Sequence, residues 1–221
     1  MIDIHTVLFD LDGTLADTAP DLGFALNELL REHGRPPLPY DRIRPVASYG
    51  ARALLRLGFG IAPHDTDYDA LRRRFLDLYA TNLCRETRLF PGVSELLSAL
   101  PGRKLNWGIV TNKPAFLTEP LVRALGLADT AACVVSGDTT ANSKPHPAPL
   151  LYACAQCGSA PASCLFVGDA ARDIEAGRSA GMHTLVAMFG YIGEGDDPPS
   201  WGADALVYSP GNVLEWIDAR R

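Results

Sequence analysis

The chain has 221 residues, 47% of them hydrophobic and 21% charged, the balance of a globular protein with one large domain or a core that carries a smaller one. A net charge of −6 argues against nucleic acid as a partner, whose phosphates require a basic face, but not against a phosphorylated small molecule, because a few local cations and a metal can dominate one pocket. No apolar run reaches the roughly 18 residues of a membrane span, and the N-terminus passes into Val7-Leu8-Phe9 without a basic segment or cleavage site, so a cytoplasmic protein without a signal peptide is expected.

The first element is an apolar strand over residues 6–9, and it delivers two carboxylates, Asp10 and Asp12, into a Gly-Thr turn. Two acids this close repel each other unless a cation lies between them or one is protonated. A hard-metal site with a built-in nucleophile satisfies that condition; a strand end with two solvated acids is the alternative. Residues 16–82 then contain helical patterns and no convincing strand. Residues 21–33 place Leu22, Ala25, Leu26, Leu29 and Leu30 on one face and stop at Gly34, a Pro-rich loop covers 36–39, and 51–57 and 69–83 are further helical stretches. A helical insertion after the first strand reads as a cap over the site, hinged near 16–20 and 82–90; the alternative is that these helices extend the core.

After the insertion, strand-like runs recur at 105–111, 133–136, 164–168, 183–187 and 205–208, with helical patterns at 93–100, 115–125, 149–158 and 173–180 between them. Such alternation predicts an α/β fold, a Rossmann-like parallel sheet with helices on both faces, and in such sheets ligands bind beyond the carboxyl ends of the strands. Asp10, Thr111 and Asp169 all fall at such ends. Val110-Thr111-Asn112-Lys113 offers a hydroxyl, an amide and an ammonium, and Ser143-Lys144-Pro145 a second lysine; each is weak alone, but together they suit phosphoryl oxygens. The apolar run at 165–168 ends in Asp169, and Asp173 follows on the first helical turn, where a carboxylate is also an ordinary capping group. Added to Asp10 and Asp12, they form an oxygen-rich ligand set suited to magnesium. The five cysteines form no regular framework, and Cys154-Ala-Gln-Cys157 has no second pair or histidine couplet nearby in sequence to complete a zinc site, so reduced thiols on a helix face are expected.

Asp10-Leu-Asp12-Gly-Thr14, Thr111, Lys144 and Gly168-Asp169-x-x-x-Asp173 resemble, in order and context, the four motifs of the haloacid-dehalogenase superfamily of phosphatases, and the resemblance covers essentially the whole chain. Leu89-Phe-Pro-Gly-Val, Gly108-Ile-Val-Thr-Asn-Lys-Pro and Gly190-Tyr-Ile are similar to its phosphoglycolate-phosphatase-like group. Ser48-Tyr-Gly-Ala-Arg-Ala-Leu, Leu105-Asn-Trp-Gly and Trp201-Gly-Ala-Asp are similar, more narrowly, to the N-acetylmuramic acid 6-phosphate phosphatases. The resemblance implies a catalytic core over 1–15 and 83–221 with a helical cap over 16–82. It implies Asp10 as nucleophile, Asp12 as general acid and then base, Thr111 and Lys144 on the phosphoryl oxygens, and Asn112 as a supplement to them. It further implies Mg2+ held by Asp10, Asp12, Asp169 and Asp173. The partner is then a small phosphomonoester, phosphoglycolate-like as the first reading and N-acetylmuramic acid 6-phosphate as the alternative, acted on by a monomer or homodimer. A dehalogenase, a phosphomutase and a non-catalytic phosphate sensor are the competing classes. Arg52, behind Gly50 in the insertion, is the candidate clamp for a substrate carboxylate; a solvated arginine at a helix start is its alternative.

Overall fold

The computed structural model describes residues 3–220; residues 1, 2 and 221 of the expected core lie outside them. The described residues form strands β1 (Thr6–Phe9), β2 (Ala16–Asp17), β3 (Arg88–Leu89), β4 (Asn106–Val110), β5 (Val134–Val135), β6 (Cys164–Gly168), β7 (His183–Ala187) and β8 (Ala205–Val207). Six of them make one sheet in the order β5-β4-β1-β6-β7-β8, every pair parallel. β1 is the middle of it, with Leu8 registered against Gly108 on one side and Phe166 on the other.

The helices are α1 (Ala19–Glu32), α2 (Tyr40–Ile43), α3 (Gly50–Phe59), α4 (Tyr68–Thr81), α5 (Val93–Ala99), α6 (Ala115–Ala124), α7 (Ala148–Cys157), α8 (Ala171–Ser179) and α9 (Gly211–Asp218), with a 3-10 turn over Arg44–Tyr49. The central strand is apolar from Val7 to Phe9 because both its faces are covered. Leu8, Val110 and Phe166 pack with Leu150 and Ala153 of α7 and Ala176 of α8. Val7, Phe9, Ile109, Leu165 and Val167 join a larger cluster with residues of α5, α6 and α9 that continues into the helical insertion. Within the insertion, the expected face of α1 is the buried one: Leu22, Ala25, Leu26, Leu29 and Leu30 meet Leu54, Leu55, Phe75 and Tyr79 of α3 and α4. Burial of each large aliphatic side chain contributes up to about 1.5–3 kcal/mol.

Three features lie outside the sequence expectation. The chain entering the insertion pairs with the chain leaving it, Ala16 with Leu89 and Asp17 with Arg88, a two-residue antiparallel ribbon too short to show a period. The short helix α2 and the 3-10 turn Arg44–Tyr49 together fill the gap between the predicted loop and α3. Cys154 and Cys157 face partners that are distant in sequence, with Sγ–Sγ distances of 3.4 Å to Cys164 and 3.4 Å to Cys133, respectively. All five cysteines are free thiols.

The ribbon is reinforced by one buried acid. Asp21, in the first turn of α1, accepts hydrogen bonds from the backbone N–H groups of Glu86 (3.0 Å) and Thr87 (2.9 Å) and from the Thr87 hydroxyl (2.7 Å). Removing the carboxylate strands three donors, of which the two on Thr87 are buried, and each buried unsatisfied donor costs about 1–3 kcal/mol. Asp21→Ala is therefore expected to lower the unfolding free energy by about 2–4 kcal/mol in urea titrations, whereas a loss below about 0.5 kcal/mol, the scale of an ordinary surface substitution, contradicts this role.

Candidate active site

Asp10 follows β1, Thr111 follows β4 and Asp169 follows β6, so three adjacent strand ends converge. The chain's successive strands diverge to either side of β1, and open parallel sheets leave their ligand crevice at such a switch point.

Asp10 is buried, and its Oδ1 accepts from the Leu11 N–H at 2.7 Å and lies 3.0 Å from the Lys144 ammonium. Lys144 Nζ also lies 2.8 Å from Asp173 Oδ1 and donates to the Val110 carbonyl at 2.7 Å. Burial pushes the Asp10 carboxyl above the usual carboxylate range; Lys144 opposes the rise and Asp173 adds to it. Asn112 fixes the Lys144 backbone at both ends, its amide donating to the Lys144 carbonyl (2.8 Å) and accepting from the Lys144 N–H (3.0 Å). Thr111 is buried beside them, its hydroxyl accepting from the Lys113 N–H at 3.2 Å.

Asp169 accepts the Tyr191 N–H at 2.9 Å and the Ser48 hydroxyl at 3.0 Å. Burial, then the charges of Asp173 and Asp10, push its carboxyl up to about 7. Asp173 lies on the first turn of α8, where its Oδ2 accepts the Ala170 N–H at 3.0 Å as a capping group while its Oδ1 faces Lys144. Asp10, Asp169 and Asp173 bring carboxylate oxygens within 4.8 Å of one another, and among the described residues this is the grouping able to hold a metal ion. An all-oxygen, buried set suits a hard divalent cation. Gly13 makes the close approach possible: at its φ of 83°, a Cβ would lie 2.1 Å from Asp169 Oδ2.

Asp12 points the other way. It accepts the Thr18 hydroxyl at 2.6 Å and pairs with the buried Lys113 ammonium at 3.1 Å. Lys113 Nζ also lies 3.3 Å from the Tyr79 hydroxyl on α4. Burial works to lower Lys113, but Asp12 and Tyr79 overcome it and hold the ammonium above the usual lysine range. Burial lifts the Tyr79 phenol to about 12.

Asp10, Asp12, Thr111, Asn112, Lys113 and Lys144 form the floor of a cavity of about 620 Å3 whose opposite wall comes from the insertion: Tyr49, Arg52 and Arg56 of the 3-10 turn and α3, and Tyr68, Arg72 and Phe75 of α4. Arg52, Arg56 and Arg72 are exposed and make no ion pair among the described residues. Residues 7–187 match the haloacid dehalogenase-like hydrolase family. The chain belongs to that family. It is 43% identical over 216 residues, 97% of this chain and 95% of the relative, to the N-acetylmuramic acid 6-phosphate phosphatase of Pseudomonas aeruginosa. It is 44% identical over 211 residues, 96% of this chain and 95% of the relative, to the phosphoglycolate phosphatase of Xanthomonas campestris pv. campestris. Among solved structures, a predicted phosphoglycolate phosphatase from Haemophilus somnus superposes with a TM-score of 0.86 at 29% identity, over 98% of this chain and 99% of that one. The chain is an enzyme of this hydrolase family, its relatives here being named phosphatases.

The structure brings Asp10, Asp12, Thr111, Asn112, Lys144, Asp169 and Asp173 to one end of the sheet and sets Arg52 on the far wall. Sequence reasoning missed Ser48 and Arg172 and left Lys113 without a partner. Arg172 stands between the two acids of Asp169-Ala-Ala-Arg-Asp173, the one signal available for it.

The elevated Asp169 carboxyl has a definite consequence. Its pKa is higher folded than unfolded, so the folded metal-free protein holds a proton that the unfolded chain releases, and this contribution to stability is lost as pH rises through about 7. A divalent cation held by these carboxylates would take the place of that proton. The rise in Tm on adding magnesium chloride is therefore expected to be larger near about pH 8 than near about pH 5.5; an equal or smaller rise at the higher pH contradicts the arrangement.

Proposed function

We propose that the chain hydrolyses N-acetylmuramic acid 6-phosphate through an aspartyl-phosphate intermediate, with Mg2+ at the Asp10–Asp169–Asp173 cluster. The observation that carries the substrate is the cavity. Its volume of about 620 Å3 falls in the range of pockets that enclose drug-sized molecules, about 300–1,000 Å3, and far exceeds the needs of a two-carbon alcohol. Aromatic and aliphatic side chains suit a sugar ring, and unpaired arginines suit its lactyl carboxylate. Phosphoglycolate is the second reading; it too carries a carboxylate, and a relative of 44% identity bears that name.

Electrostatics support the metal. Asp10, Asp12, Asp169 and Asp173 face Lys113, Lys144 and Arg172, four negative groups against three positive ones. A divalent cation there would offset this local carboxylate excess beside an incoming phosphate. Such a cation supplies charge neutralisation between Asp10 and the phosphate. Asp10 and Asp169 would hold it directly together with the Asp12 carbonyl, and Asp173 directly or through water.

Asp10, held at Oδ1 by Leu11 and Lys144, attacks phosphorus; the bond from phosphorus to the sugar oxygen breaks, and Asp12 gives that oxygen its proton. In the second half, Asp12 takes a proton from water, whose oxygen attacks phosphorus and frees Asp10. Lys144 and Thr111 bind phosphoryl oxygens, Asn112 fixes the Lys144 loop, and Thr18 and Lys113 orient Asp12. This acid is what a dehalogenase does without. Five free thiols fit a reducing cytoplasm, and no described helix is long and apolar enough to cross a membrane. We read residues 16–82 as the cap domain of a monomer or homodimer.

Two variants test this. Asp10→Asn is expected to reduce turnover of p-nitrophenyl phosphate by at least about 1,000-fold while the fold survives, because no nucleophile replaces it; activity within tenfold of wild type defeats the mechanism. Arg52→Ala is expected to lower kcat/KM for N-acetylmuramic acid 6-phosphate by about 10–100-fold, the worth of a charge-assisted pair, with less than threefold change for p-nitrophenyl phosphate. Equal losses on both substrates remove the carboxylate clamp, and a wild-type kcat/KM higher for phosphoglycolate selects the second reading.

A further inference from the structure

Arg172 occupies a position that its helix disfavours. It stands in the first turn of α8, where the helix dipole opposes a cation, and only 15% of its side chain is exposed. Its contacts beyond the helix explain the placement. Nη2 donates to the Ser48 carbonyl at 2.7 Å and lies 3.3 Å from the Ser48 hydroxyl, both in the 3-10 turn of the insertion. The same nitrogen lies 3.8 Å from Asp10 Oδ2, the carboxylate oxygen that Lys144 and Leu11 leave free. The guanidinium carbon sits 5.1 Å from the centre of the Tyr49 ring, within reach of a cation–π attraction. Nε is buried without a partner. Burial works against the charge, and Asp173, Asp10 and Asp169 more than restore it. One side chain thus touches the insertion and the proposed nucleophile at once.

The turn it grips is a joint in its own right. Ser48 donates to Asp169, and the Tyr49 hydroxyl lies 3.2 Å from Asp196 Oδ1. Gly50 follows at φ 63° and ψ −157°, a conformation that side-chain-bearing residues avoid, so the path from Tyr49 into α3 is set by the glycine. Two residues later α3 presents Arg52 to the cavity. A displacement of the turn therefore moves Arg52 and withdraws the Ser48 carbonyl from Arg172 together.

We infer that Arg172 is a positioning residue that couples the seating of the turn Arg44–Tyr49 to the charge environment of Asp10. With the turn seated, the Ser48 carbonyl and the Tyr49 ring hold the guanidinium toward Asp10 Oδ2. With the turn lifted, the guanidinium loses its acceptor and Asp10 loses its second cation. Attack on phosphorus is then favoured only when the wall that surrounds the leaving group is in place. The inference rests on the reading of Asp10 as nucleophile, and Asp10→Asn tests that separately. It does not depend on which alcohol leaves.

The test uses Arg172→Ala, Arg172→Lys and Tyr49→Ala, with hydrogen–deuterium exchange in magnesium chloride and turnover of p-nitrophenyl phosphate. Exchange over residues 44–52 is expected to speed up at least about fivefold in Arg172→Ala, with β1 and β6 protected as in wild type. Its kcat is expected to fall about 10–100-fold with KM within about twofold, and Arg172→Lys, which keeps the charge, to recover part of both readouts. Tyr49→Ala is expected to shift both in the same direction by less. A fall in kcat with unchanged exchange over 44–52 overturns the inference, since Arg172 would then act on the phosphoryl group alone. Faster exchange with unchanged kcat overturns it equally. If Arg172→Ala loses protection in β1, the same readouts in Arg172→Lys and Tyr49→Ala decide.

Discussion

An ammonium with no solvent exposure, Lys144 Nζ, lies between a carboxylate at the end of β1 and another on α8, and it also bonds the last carbonyl of β4. Three separate parts of the chain are thereby referred to one charge. Without it, two buried carboxyl groups would face each other with no cation between them, and an isolated buried charge costs several kcal/mol even after relaxation. The lysine is held in turn by Asn112, which spends its amide on the Lys144 backbone. The cluster also gathers three buried carboxyl groups around two cations, an all-oxygen grouping of the kind that suits a hard divalent cation.

Most of the sheet was legible because its strands are short apolar runs that end abruptly in functional groups. A run such as Leu165-Phe-Val-Gly-Asp169 states both that it is buried and that something at its end needs a charge. Glycine stops and one-sided leucines did the same for α1. The parts that were not legible depend on tertiary placement. The β2–β3 ribbon has two residues on each side, and no period shows over two residues. Ser48 lies in a 3-10 turn with no sequence signature, and its hydroxyl matters only because folding carries it to Asp169. Cys133 and Cys164 meet α7 through sheet order, which the spacing of the cysteines does not encode. Lys113 was visible as a cation, but its pairing with Asp12 rather than with an incoming phosphate needed distances.

The two acids of the opening motif sit in different electrostatic surroundings despite being two residues apart. Asp10 belongs to the buried cluster with Asp169 and Asp173; Asp12 belongs to a smaller group with Thr18, Lys113 and Tyr79, the last contributed by α4. Separation of this kind lets neighbouring carboxylates perform unlike work. It also means that the insertion reaches both groups, through Tyr79 on one side and Ser48 on the other.

The cavity draws its floor from the sheet and its opposite wall from the insertion, and the two surfaces differ in how freely they can drift. Floor residues are bound to one another by buried ion pairs, so an exchange at one position strands its partners. Arg52, Arg56 and Arg72 on the wall make no ion pair among the described residues. A substitution on the wall therefore breaks no ion pair, whereas one on the floor does.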